Sequence, residues 1–173
     1  MKEGRTRVII EAMSKELVEV RVHGVAVDGG DGLPVVLLLD PSASSGLPLQ
    51  VGPFEASAII IELEGIAPPR PLTHDLLATF FREGGLKLER AELYGSREAG
   101  TQARLVYRRG LRRCSREVRP SDAIALALRL RAPICAEACL LDSREEAEQA
   151  FSAMVPEPNA FYLRTAGGAG GAG

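Results

Sequence analysis

Hydrolysis of a phosphodiester needs a group to activate water, a group to protonate the leaving oxygen, and positive charge beside the phosphate. One short segment offers all three. In Arg70-Pro71-Leu72-Thr73-His74-Asp75, His74 could act as base or acid, Asp75 as metal ligand or orienting carboxylate, and Arg70 as phosphate clamp. A helix opening at Thr73 would add backbone N–H donors that favour an anion. The same residues are also explained without chemistry: Thr73 and Asp75 cap a helix, and His74 bonds a neighbouring carbonyl.

A second cluster repeats the pattern. Arg119-Pro120-Ser121-Asp122 again places an arginine, a rigid proline, a hydroxyl and a carboxylate at a helix start. Asp122 could ligate a metal or join the catalytic set, while Arg119 and Ser121 could contact phosphate. Ser121 as a cap and Asp122 as a dipole partner are the structural alternatives. Glu55 could supply a third carboxylate, so that Glu55, Asp75 and Asp122 would hold Mg²⁺ or Mn²⁺ through oxygen ligands. First-turn dipole complementarity explains Glu55 equally well.

Between positions 104 and 119 the chain carries Arg104, Arg108, Arg109, Arg112, Arg113, Arg116 and Arg119 against Glu117 alone. Alternate residues of a strand share a face, so Arg104 lies with Arg108 and Arg112 with Arg116. Such a stripe could track the backbone of DNA or RNA and make binding salt-dependent. A solvated face paired with glutamates elsewhere is the alternative. Aromatic partners for base stacking are scarce here, with only Tyr94 and Tyr107 nearby.

The elements that must position these groups are legible from pattern. Val18, Val20 and Val22 alternate with polar residues, and the parity then changes to Val25 and Val27, which predicts a bulge at Gly24. A turn over 28–32 and a buried strand over 33–40 complete a hairpin. A short strand over 47–51 precedes a helix opened by Gly52-Pro53 and ended at Gly65. The segment Ala67 to Pro71 cannot be helical. A helix capped by Thr73 runs to Gly84-Gly85, and 86–94, 101–109 and 111–119 read as an antiparallel meander. Ser121 caps a deeply buried helix over 121–131, followed by a short strand over 133–136. Ser143 and Glu146 form a capping box for a last helix to about Met154. The domain is expected to span 1–155, with core motifs over 47–142. The Gly/Ala-rich segment 156–173 reads as a flexible tail.

Bulk properties narrow the function. The chain has 173 residues, a net charge of −2 and 46% hydrophobic residues, so one globular domain with a sizeable core is expected, without a global field for polyanions. No apolar run approaches the roughly 18 residues of a membrane span. A charged N-terminus makes the cytoplasm the expected location. Cys114, Cys135 and Cys139 form no CxxC pair and read as free, mostly buried thiols. His23 and His74 are the only histidines, and no nucleophile elbow accompanies them.

Three blocks stand out between Leu47 and Asp142: LPLQVGPFEASAII from Leu47, PRPLTHDLL from Pro69, and RPSDAIALALR from Arg119 followed by API from Ala132. In these blocks the chain resembles the bifunctional nuclease domain family. The resemblance implies a single α+β domain, action on DNA and RNA, and self-association as a homo-oligomer such as a dimer. A non-catalytic nucleic-acid-binding or regulatory module of the same fold is the alternative. Gln50 and the short Arg-rich segment depart from the family pattern.

Overall fold

The computed structural model describes residues 16–28, 32–96, 98–155 and 158–163. Strand β1 (Leu17–Asp28) pairs antiparallel with β2 (Val35–Leu39), and the register slips between Val22 and Gly24. This bulge is the predicted parity change. It leaves Val20, Val22 and Val25 in one core and turns Ala26 toward another. The tip of the expected turn, 29–31, lies outside the described residues.

All five residues of β2 are buried because both faces of that strand are covered. Val36 and Leu38 join the main core, while Val35, Leu37 and Leu39 join a smaller cluster. Each such side chain contributes roughly 1.5–3 kcal/mol by leaving water. β3 (Ser45–Gln50) follows, then α1 (Pro53–Leu63) and α2 (Thr73–Glu83). The meander is β4 (Leu86–Ser96), β5 (Gly100–Arg109) and β6 (Arg112–Val118), and α3 (Pro120–Leu130) comes next. The chain closes with β7 (Ile134–Glu137), a 3₁₀ turn over Ala138–Leu140, β8 (Asp142–Ser143), α4 (Arg144–Met154) and β9 (Pro158–Leu163).

Among the described residues the strands form one mixed sheet in the order β6-β5-β4-β7-β1-β2-β3-β8, with β9 added against β1. β4 and β7 run parallel, and the other pairs are antiparallel. α1, α2 and α3 contribute to the main core on one face. The smaller cluster holds Ala147 and Phe151 of α4 against the other face of β2. This is the expected α+β domain. Strand β9 continues ordered chain past residue 155, where the sequence reading ends the domain; 164–173 lie outside the described residues.

Two helix starts differ from expectation. Thr73 is the first helical residue and not the cap: Leu72 holds that position, and Asp75 accepts the Leu72 N–H at 2.8 Å. Ser121 likewise sits inside α3, where Arg119 is the N-cap and Pro120 occupies the first turn. In both helices a rigid proline nearby fixes the entry, so a hydroxyl cap is dispensable. Ser143 and Glu146 form the predicted capping box. The cysteines are free, but Cys139 is exposed and the other two only half-buried.

Candidate functional site

The first turns of α1, α2 and α3 are joined through Arg119 and Asp122. Arg119 donates from Nε to Asp122 Oδ2 at 2.8 Å, from Nη2 to Asp122 Oδ1 at 3.1 Å, and from Nη1 to Glu55 Oε1 at 2.5 Å. Asp122 Oδ1 also lies 3.2 Å from His74 Nε2. A carboxylate can only accept, so neutral His74 carries its proton on Nε2 and leaves Nδ1 as the basic nitrogen. Burial alone would raise the Asp122 carboxyl, but hydrogen bonds from Arg119 and His74 outweigh it and hold the group below the usual carboxylate range. The bonds to Asp122 push Arg119 further above its ordinary value.

These residues line an open groove of about 610 Å³ whose walls include Phe54, Leu72, Leu77 and Leu105. Phe54 is 87% exposed at its rim. Residues from the first turns of α1, α2 and α3 are among those that line it, and a helix N-terminus carries partial positive charge.

Asp75 belongs elsewhere. Neighbouring residues on a helix point about 100° apart, and Asp75 turns from the groove to Arg129, which donates from Nε at 2.6 Å. Burial would raise Asp75, and the bonds from Arg129 and the Leu72 N–H more than reverse that. Arg129 is buried and also donates to the carbonyls of Ala58 at 3.0 Å and Ala125 at 3.1 Å, which ties α1, α2 and α3 together. Arg70 lines this second concavity and not the groove of His74.

The residues proposed for one site are therefore divided. His74, Asp122, Arg119 and Glu55 are gathered; Arg70 and Asp75 are on the far side of α2; Ser121 is buried. The three carboxylates do not form a ligand set. Arg119 bridges Glu55 and Asp122, Asp75 is held by Arg129, and among the described residues no cluster of three acidic, histidine or cysteine side chains is suited to a metal. A divalent cation does not fit between carboxylates already bridged by a cation.

The arginine run is split between the faces of the sheet. Arg104 stands opposite Glu92 and Glu117, and Arg108 opposite Arg113, on the face away from α1 to α3. There Arg104 and Arg90 clamp Glu92, which is only 1% exposed, and Arg108 pairs with Glu89 beside Arg113. Arg116 stands opposite Leu105, a wall of the groove, and Arg112 shares its side. Arg112 and Arg116 are exposed and have no carboxylate partner among the described residues.

Sequence reasoning missed Arg129 and Glu92. The signal for Arg129 was present, as a lone arginine in the otherwise apolar stretch Ala123 to Leu130.

The site is thus an Arg–Asp–His network on a mixed α+β sheet, where three helices begin. The bifunctional nuclease domain matches residues 36–149, from β2 into α4, and the chain is a member of that family. An uncharacterized protein of Mycobacterium tuberculosis strain CDC 1551 / Oshkosh is 37% identical over 123 residues, covering 71% of this chain and 73% of the relative. Its counterpart in strain H37Rv matches to the same extent. No described helix is long and apolar enough to cross a membrane.

Proposed function

We propose that the protein is a phosphodiester hydrolase acting on DNA or RNA at the groove of His74. The observation that carries this reading is the 3.2 Å contact between His74 Nε2 and an Asp122 that Arg119 holds from the other side. Such a carboxylate fixes the imidazole's tautomer and stabilises it once protonated. His74 Nδ1 takes a proton from the attacking water as its oxygen bonds to phosphorus. The P–O bond to the leaving oxygen breaks, and that oxygen takes a proton from solvent. Arg112, Arg116 and the helix N-termini supply the positive charge that holds the strand.

A non-catalytic interaction module is the second reading. It is favoured by the apolar groove walls and by the pairing of Glu55, Arg119 and Asp122 with one another. The test is cleavage of labelled single- and double-stranded DNA and RNA by wild type and His74→Ala purified identically, with Mg²⁺, with Mn²⁺ and with chelator. Cleavage by wild type alone, with both proteins equally folded, supports the hydrolase. Equal cleavage by the two, or none by either, removes it.

A further inference from the structure

The concavity on the far side of α2 has a chemistry of its own. It measures about 650 Å³ and is lined by Arg70, Arg82, Arg129 and Arg131 against the carboxylates of Glu62 and Asp75. Arg129 is buried in its wall and paired with Asp75, and its unpartnered Nη2 is itself closed to solvent, so this guanidinium lends the cleft charge rather than an open donor. Arg82 donates from Nη2 to the Arg129 carbonyl at 2.9 Å, which covers the negative end of α3.

Two further observations point to a ligand. Arg70 is exposed and set between Pro69 and Pro71, so its backbone is already stiff and little freedom is lost on binding. Arg131 ends α3 with φ of +52°, in the left-handed region that glycine occupies more readily. A position that favours glycine holds an arginine that is among the residues lining the cleft. Dipole compensation accounts for Arg82 and Arg129 at helix ends, but not for Arg70 on its loop.

We propose that this cleft binds a phosphoryl anion. Guanidinium forks match phosphate oxygens in pairs, and positive groups outnumber carboxylates around it. The ligand is a free phosphate or nucleotide, or an internucleotide phosphate of a bound strand; the chemistry is common to both. This site stands independently of any reaction at His74.

The test follows thermal unfolding of the full chain with inorganic phosphate, and with sodium chloride at matched ionic strength. Wild type and His74→Ala should show the same saturable rise in Tm with phosphate. The double variant Arg70→Ala/Arg131→Gly, in which glycine relieves position 131, should show at least tenfold weaker apparent affinity with its phosphate-free Tm near that of wild type. Arg70→Ala alone gives the same comparison with position 131 unaltered, should the double variant not fold. A short single-stranded oligonucleotide that displaces phosphate from wild type identifies a backbone phosphate as the source; competition by free nucleotide alone identifies the soluble anion. A rise matched by chloride, or retained in both arginine variants, overturns the proposal.

Discussion

His74 and Asp122 are 48 positions apart in the chain, yet imidazole Nε2 lies 3.2 Å from carboxylate Oδ1. The contact links the second residue of α2 to the first turn of α3, and Arg119 extends it to Glu55 on α1. General acid–base catalysis typically contributes about 10² to 10⁴ in rate, and His74 would depend on this carboxylate for its orientation. Asp122→Asn is therefore expected to lower cleavage by roughly 10²-fold or more. The readout is kcat against pH beside a CD melt, and unaltered kcat in Asp122→Asn would mean that His74 needs no such partner.

Arg129 is the structural counterpart of that contact. Removing it leaves Asp75 in a partly buried place with its charge unanswered, and frees two main-chain carbonyls. Arg129→Ala should cost about 3–5 kcal/mol, the usual penalty for breaking a buried ion pair from one side. Urea denaturation measures this directly; a loss below about 1 kcal/mol would assign the packing of the three helices to apolar contacts alone.

Acid should weaken both clusters. Asp75 and Asp122 both have carboxyls held below the ordinary aspartate range in the folded protein. At pH values between the lowered and ordinary values the unfolded chain binds more protons, so stability rises with pH there. Their contribution is complete above about pH 4 and is lost as pH falls through their lowered values. The urea midpoint followed from pH 6 down to pH 2 should fall for wild type and fall less for Asp75→Asn and Asp122→Asn, whose starting stability is lower.

The two halves of the arginine run should respond differently. Arg112→Ala/Arg116→Ala is expected to lower the slope of log Kobs against log salt by about 1.5 for nucleic acid, with Tm nearly unaltered. Arg104→Ala strips one partner from buried Glu92 and should cost about 2 kcal/mol of stability. Fluorescence anisotropy at several salt concentrations separates the two; the same salt slope after loss of Arg112 and Arg116 would remove them from any strand-binding role.

Gly46 tests the second core. A Cβ there would come within 2.6 Å of Leu39 Cδ2, 2.9 Å of the Leu38 carbonyl and 3.1 Å of Ala147 Cβ, where β3 meets α4. Gly46→Ala should destabilise by about 1–3 kcal/mol. An unchanged melting temperature would show that α4 can shift without loss.

Most of the architecture could be read from the chain because its signals are local. Alternation over Val18 to Val27 announces both strand and bulge, and Gly52-Pro53, Gly65 and Gly84-Gly85 mark helix ends. The site was less legible because its defining relations are long-range. His74 and Asp75 look like one pair in sequence, but a helix turns them to different partners, His74 to Asp122 and Asp75 to Arg129. Helical geometry alone foretells that divergence; which partner each meets depends on how α2 lies on α3. The arginine run has the same difficulty. Alternation places Arg104 with Arg108 and Arg112 with Arg116, but only the β5–β6 register tells which face each pair occupies.

The position of β1 has a bearing on how the chain is made. Leu17 pairs with Glu137, and Gly24 with Leu163, so β1 acquires its neighbours on that side only after the long stretch of chain between them has been made. Until then β1 has only the β2 hairpin, with its opposite backbone edge unsatisfied. Pairings this distant in sequence slow folding. An emerging chain thus holds an open strand edge until β7 and β9 have been made, which places the risk of association between nascent copies in that interval.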